Sequence, residues 1–337
     1  MAAQRTTGTS GARRGRRIPP NFFSIPFGLG GLAECWRAAA HIVGFTTAVA
    51  TALYLLATVV WLVLLCAYLR QGSERIRADI SDQALSPFLA LVAVAPLIPA
   101  SALAATAFSA ARVLVIILLA ATLAAGGLLT ARWETGRTDH NLLHPGYYLP
   151  TVAGGLVGAD AAAAVGLHSV ADALLGYGLV AWLLLGSLIL HRMFFHPPLP
   201  ALLTPTLAIE VAPPVVAGAA YFAVTGGRID ALAKALAGAA VLLVIVQLRR
   251  IPLYARLSFT PGFWAFTFSY SAVCLDALLW LSFTRPAGCK AAAIAILTLI
   301  TMFITGISVR SVLAIRHGRF FPPANAGDSR PAGAAPG

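Results

Sequence analysis

The chain has 337 residues, of which 59% are hydrophobic and 11% charged. A soluble domain draws about a quarter of its residues from Asp, Glu, Lys and Arg, so this composition excludes a soluble enzyme of such size. The net charge of +12 does not mark nucleic-acid binding. Lys and Arg fall mostly between apolar runs, and no zinc-finger, helix-turn-helix or base-stacking pattern accompanies them.

Residues 1–18 are polar and include Arg13, Arg14, Arg16 and Arg17. They lack an apolar stretch followed by a small-residue cleavage site, so they read as a flexible basic tail rather than a signal peptide. Residues 19–317 form the predicted membrane domain. Ten apolar runs fill it, at 20–36, 44–69, 86–106, 110–130, 144–166, 171–193, 200–224, 229–249, 260–283 and 288–315. All but the short, Gly-rich first run are long enough for about 30 Å of hydrocarbon. Residues 318–337, rich in Pro, Gly and Ala, are expected to be disordered. Alternating strands of about ten residues are missing, which argues against an outer-membrane barrel.

Short connections favour antiparallel neighbours. With the N-terminus inside, 18 of the 24 Lys and Arg residues fall on the inner side and 6 on the outer. Arg37, Arg112, Arg228, Lys234, Arg285 and Lys290 are the outer six. The split predicts that both termini are cytoplasmic, in an inner membrane.

Prolines separate odd runs from even ones. Pro26 lies in run 1, Pro96 and Pro99 in run 3, Pro150 in run 5, and Pro213 and Pro214 in run 7. Run 9 has Pro261 at its start, and the even runs hold no internal proline. A proline inside a helix kinks or breaks it. In lipid the freed carbonyls must be buried in protein or face water. The predicted fold is therefore all-α: ten transmembrane helices in five hairpins, with the odd, kinked member of each hairpin inside. Glycines agree, with Gly28, Gly30 and Gly31 in run 1 and Gly154, Gly155 and Gly158 in run 5. Small residues either let helices approach closely or leave a lumen open.

No P-loop, no H-E-x-x-H and no acidic magnesium motif occurs, so neither ATP-driven pumping nor metal catalysis is predicted. No cofactor, metal site or catalytic residue is predicted, and the chain does not read as an enzyme. The seven histidines lie mostly at loops or run ends, and the four cysteines show no metal spacing. Ionisable residues inside spans are default functional positions. They are Asp160, Glu210, Lys234 and Asp276, with Glu34 ending run 1. Glu210 precedes Pro213 and Pro214 by three and four residues, on roughly the same helix face. In run 9, Phe266 and Phe268 stand about 200° apart and cannot face the same way.

Several of these stretches resemble the tellurite-resistance/dicarboxylate transporter family. That family includes bacterial tellurite-resistance channels, yeast malate and sulfite transporters, and plant guard-cell slow anion channels. The matching pieces are Pro20-Asn21-Phe22-Phe23-Ser24-Ile25-Pro26-Phe27-Gly28-Leu29 and His144-Pro145-Gly146-Tyr147-Tyr148-Leu149-Pro150-Thr151-Val152-Ala153. Ala212-Pro213-Pro214, Asp230-Ala231-Leu232-Ala233-Lys234 and Phe263-Trp264-Ala265-Phe266-Thr267-Phe268 follow in the family order. The resemblance implies five hairpins around a quasi-five-fold pore, with odd helices lining it. It also implies a homotrimer and anion transport, with Phe268 as the pore-blocking ring. Ser269 stands where other members often have Pro or Gly, so a kink at that point is not implied.

The expected function is passive passage of small anions through a pore gated by Phe268, by weak polar contacts and graded desolvation. Monovalent inorganic anions, sulfite, tellurite and C4-dicarboxylates such as malate are the substrates considered. Pro26, Gly28, Pro96, Pro99, Pro150, Thr151, Gly154, Pro213 and Pro214 are the expected pore-lining or kink positions. Glu210 and Asp160 are expected to tune charge. The alternative is a proton-coupled dicarboxylate or sulfite carrier in which Glu210 or Asp160 exchanges protons. Small anions, the lipid bilayer and two further copies of the chain are the expected partners.

Overall fold

A long apolar run without proline satisfies every backbone group within one helix, as a bilayer demands, whereas Gly and Pro interrupt that ladder. Both outcomes are present in the computed structural model, which describes residues 17–136 and 138–321. Among the described residues all regular structure is helical. A 3-10 turn, Pro20–Phe23, runs into α1 (Ser24–Val43). Next come α2 (Ala48–Leu69) and a short polar helix, α3 (Ser73–Ser81). The following crossing is broken into the 3-10 turn Ser86–Ala90, α4 (Leu91–Val94), α5 (Leu97–Ala102) and the 3-10 turn Leu103–Ala105. Then α6 (Phe108–Thr135) is uninterrupted. A π-helical stretch, Leu149–Ala153, leads into α7 (Gly154–Ala164), followed by α8 (His168–Phe195). The 3-10 segment Thr204–Val211 leads into α9 (Ala212–Thr225), then comes α10 (Ala231–Tyr254). The 3-10 turn Pro261–Phe263 leads into α11 (Trp264–Thr284), and α12 (Cys289–Arg316) completes the helices.

Eight of these segments are long and apolar enough to cross a bilayer. The two remaining apolar runs supply α1, which carries Glu34 and Arg37, and α7, which is only 11 residues long. Burial divides the eight. In their most apolar stretches, 78% of Thr204–Thr225, 61% of Ser86–Ala105 and 39% of Pro261–Thr284 is buried, against 17% to 33% of α2, α6, α8, α10 and α12. Helices α1 and α7 are buried along most of their length. The less buried helices expose large side chains such as Leu62, Val63, Leu183, Leu184, Leu242 and Leu299. In water such surface would far exceed the apolar patch of a soluble monomer, so lipid is its solvent.

The buried helices touch one another in the succession α1, α5, α7, α9, α11 and back to α1. Each exposed helix packs against the buried one before it. The α1–α11 contact is the most extensive, and it is built from absent side chains. A Cβ on Gly28 would collide with the Thr267 side chain, and one on Gly31 with Ser271 Oγ. Without a hydrophobic drive between helices in lipid, such close approach is what holds them. The hydroxyls along this seam are satisfied locally. Thr267 Oγ1 donates to Trp264 O (2.7 Å), Ser269 Oγ to Ala265 O (3.0 Å) and Ser271 Oγ to Phe268 O (2.9 Å). Cys35 Sγ donates across the seam to Ser271 O (3.2 Å).

The structure corrects the proline reading in two ways. The prolines of the buried crossings mark joints between 3-10 or π segments and α-helix rather than bends within α-helices. Pro26 sits in the first turn of α1, Pro96 between α4 and α5, Pro150 in the π stretch, and Pro213 and Pro214 in the first turn of α9. A first-turn amide has no partner in its own helix, so proline costs little there. Helix α11 runs without interruption through Ser269. One even crossing does hold an internal proline, since α10 continues to Tyr254 and includes Pro252 in its last turn.

The packed chain also extends beyond the predicted membrane limits. Most of residues 1–18 and 318–337 lie outside the described residues. Of those described, Arg17 Nη2 pairs with Asp79 of α3 (2.6 Å), and Ile18 exchanges backbone hydrogen bonds with the Gln71 side chain (both 2.9 Å). Phe320 is buried, with its ring centroid 5.1 Å from that of Phe22. At the opposite end, Asp230 caps α10 by accepting from Leu232 N and Ala233 N (3.1 and 3.2 Å). The Tyr221 hydroxyl donates to the same carboxylate and ties α9 to α10; this bond and the two amides hold the Asp230 carboxyl below its ordinary range.

The α1–α11 seam predicts a paired outcome. Gly28→Ala lowers the thermal stability of the detergent-solubilised protein by about 1–3 kcal/mol through overpacking. Adding Thr267→Gly, which also removes the Cβ that would stand 2.6 Å from the new methyl, restores part of the loss. Equal melting temperatures for Gly28→Ala and the parent would contradict the close approach.

Candidate functional site: a cavity among the buried helices

All five buried helical segments contribute to one cavity of about 240 Å³. Its walls come from Gly31, Glu34 and Arg37 of α1, Ile98 of α5, Val157 and Asp160 of α7, α9 from Val215 to Ala223, and α11 from Phe268 to Phe283. Each contribution comes from the α-helical part of its crossing and not from the 3-10 or π part. Phe268 is the first residue of α11 to reach the cavity; Ala272, Leu275, Leu279 and Phe283 follow along the same helix. Phe268 therefore lies at one end of the stretch of α11 that lines the cavity.

The Phe268 ring is half-buried and stacks on Phe27 of α1, with centroids 3.5 Å apart and planes 14° apart. Gly31 makes room for it, since a Cβ there would stand 3.3 Å from Phe268 Cδ2. Phe266, about 200° round the helix, points away into an aromatic cluster. Its ring lies 4.8 Å from Tyr254, 5.4 Å from Phe263 and 5.7 Å from Tyr270, and it does not border the cavity.

One and two turns beyond Gly31 on α1, Arg37 bonds Glu34 through Nη2 and Nε, and its Nε also donates to Tyr54 OH (3.2 Å). Tyr54 OH in turn donates to Glu34 Oε1 (2.6 Å). Asp160 faces the same space and makes no hydrogen bond or ion pair with another described residue. The sequence reading counted Arg37 in an outer loop. Helix α1 instead runs on to Val43, and Arg37 lies inside it, one turn after Glu34. The Glu34-x-x-Arg37 spacing, which puts both on one face, was the available signal.

None of the expected pore-lining positions Pro26, Gly28, Pro96, Pro99, Pro150, Thr151, Gly154, Pro213 and Pro214 borders this cavity. They sit at joints and packing contacts of the helices. Gly28 faces Thr267, and Gly154 faces Thr122 of α6. Thr151 is buried with its hydroxyl unpartnered among the described residues. Glu210 also turns away from the cavity and pairs with Arg250 of α10 at 2.6 Å. Beside it, Leu207 O accepts from Gln247 Nε2 (2.8 Å), which answers a carbonyl of the irregular Thr204–Val211 segment. Asp276 is buried against Gly218 with Oδ1 unpartnered, and Lys234 is exposed. His144 is buried as a cap: its Nδ1 accepts from Gly146 N (3.1 Å), which leaves Nε2 to donate to Ala84 O (3.2 Å). Among the described residues no group of three or more His, Cys, Asp or Glu side chains is arranged to hold a metal ion.

A helical chain with lipid-facing apolar helices around a buried, sparsely charged cavity belongs to the class of multi-pass membrane transport proteins. Its particular family is the voltage-dependent anion channel family, to which the chain belongs through a match over residues 17–312. The tellurite resistance protein TehA homolog of Haemophilus influenzae is 28% identical over 264 residues, 76% of this chain and 79% of that protein. Membership makes anion transport across a membrane the general activity.

The Glu210–Arg250 contact predicts a structural role for this acid. Glu210→Gln strands a largely buried guanidinium and costs about 3 kcal/mol of stability. Thermal unfolding of Glu210→Gln, Arg250→Gln and the double variant measures the coupling. Additive losses would contradict a paired role.

Proposed function

We propose that this chain is a passive channel or uniporter for small anions. Ten crossings, arranged as five hairpins, surround one passage, and the Phe268 ring occludes it. The observation that carries this reading is the cavity bounded by all five buried helices and ended by the Phe268–Phe27 stack. An aromatic constriction blocks both sterically and by excluding water. The walls beyond it are mostly Val, Ala, Leu and Phe, so an anion finds weak contacts and no tight binding site. The proposed substrates are monovalent inorganic anions, with sulfite, tellurite and C4-dicarboxylates as further members of the class. We also propose an inner-membrane location, cytoplasmic termini and a homotrimer with one passage per subunit. The charge asymmetry supports the orientation, and the family supports the trimer.

Asp160, an unpartnered acid on the cavity wall, favours the second reading, a proton-coupled carrier. Anion current that persists without a proton gradient separates the two in favour of the channel.

Phe268→Ala is expected to fold and to carry a much larger anion current than the parent in planar bilayers. Phe266→Ala is expected to lose about 3 kcal/mol or more of packing with little gain in current. A stable Phe268→Ala that conducts no better than the parent would refute the gate. For orientation, reporter fusions at residues 10 and 325 are both expected to give cytoplasmic signals. A periplasmic signal from either would overturn the topology.

A further inference from the structure

One part of the cavity wall is chemically unlike the rest. It holds two carboxylates, Glu34 and Asp160, and one guanidinium, Arg37. Glu34 and Arg37 neutralise each other through direct hydrogen bonds, with Tyr54 of α2 closing the pair from behind. Asp160 is left over. Helices α5, α9 and α11 turn only uncharged side chains to the cavity, and α6 and α8, packed behind α7, contribute none. The ionised cluster therefore carries a net charge of about −1 beside the space an anion must cross.

We infer that this cluster is a charge filter: Asp160 discriminates against divalent anions, and the Glu34–Arg37–Tyr54 triad keeps the remaining charge fixed and neutral. The inference rests on the channel reading of the same cavity. A fixed charge acts on an ion in proportion to the ion's own charge, so a lone carboxylate repels a divalent anion twice as strongly as a monovalent one. Low-dielectric walls strengthen the effect, and burial behind the cavity mouth limits salt screening. Arg37 alone would attract both classes of anion. Clamped by Glu34, it instead cancels a carboxylate that would otherwise double the repulsion. Protonation of Asp160 removes the discrimination, so acid on the side to which the cavity opens admits divalent anions.

Sulfate and chloride are suitable probes, because sulfate stays divalent from pH 8 to pH 4. Their permeability ratio is read from reversal potentials in the Phe268→Ala background. Asp160→Asn is expected to raise the sulfate-to-chloride ratio at pH 8 by about tenfold, the scale of one unit charge a few ångströms from the ion path. Acidification from pH 8 to 4 is expected to raise the ratio in Phe268→Ala and to change it much less once Asp160 is replaced. Arg37→Gln in the same background, which uncovers Glu34, is expected to lower both the chloride current and the ratio. An unchanged ratio in a conducting Phe268→Ala/Asp160→Asn protein would overturn the filter and leave the channel standing. No anion current in any of these proteins would overturn the channel reading and the filter with it.

Discussion

The structure depends first on how closely α1 and α11 approach. In lipid, apolar side chains gain nothing by leaving one another for acyl chains, so helices are held by contact and by hydrogen bonds. Gly28 and Gly31 provide the contact by presenting bare backbone to Thr267 and Ser271. That approach joins the last buried helix to the first and so closes the succession of buried helices. It also sets the Phe27 ring parallel to Phe268 at 3.5 Å. A wider seam would leave Phe268 without its stacking partner and the cavity without one of its ends.

The buried crossings share a division of labour. Each begins in 3-10 or π geometry and continues as α-helix, and the cavity is lined from the α parts. Irregular backbone at membrane depth survives only where its polar groups find partners inside the protein. Gln247 and Arg250 on Leu207 O (2.8 and 3.4 Å) and Trp61 Nε1 on Val92 O (2.9 Å) are such partners, each reaching inward from a lipid-facing helix. The outer helices thus screen the inner crossings from lipid and satisfy their exposed polar groups.

Much of this was legible in the sequence, because hydropathy responds directly to the bilayer. Every apolar run became helical, and the proline and glycine bias separated buried from lipid-facing members. Relations between helices were harder to read. Spacing places Glu210 on a face with Pro213 and Pro214, yet only the neighbouring helix decides that this face meets Arg250 and not the cavity. Prolines revealed which crossings are irregular but not which residues border the space, since the joints pack while the α turns beyond them line it. Arg37 was hidden by the early end assigned to the Gly-rich first run. The nine residues of α3, mostly polar, form a stretch too short and charged to read as a span, and its tie to Arg17 through Asp79 lies too far along the chain for any local pattern.

The central claim is that anions pass through the cavity shared by α1, α5, α7, α9 and α11. Thiol labelling of its wall during current recording addresses this most directly. The protein would carry Ala272→Cys and Phe268→Ala, with Cys35, Cys66, Cys274 and Cys289 replaced. A charged, membrane-impermeant thiol reagent applied to the side on which the cavity opens should react with the introduced thiol and block the anion current, and bound anion should slow the reaction. Complete modification with the current undiminished would place the conducting path elsewhere.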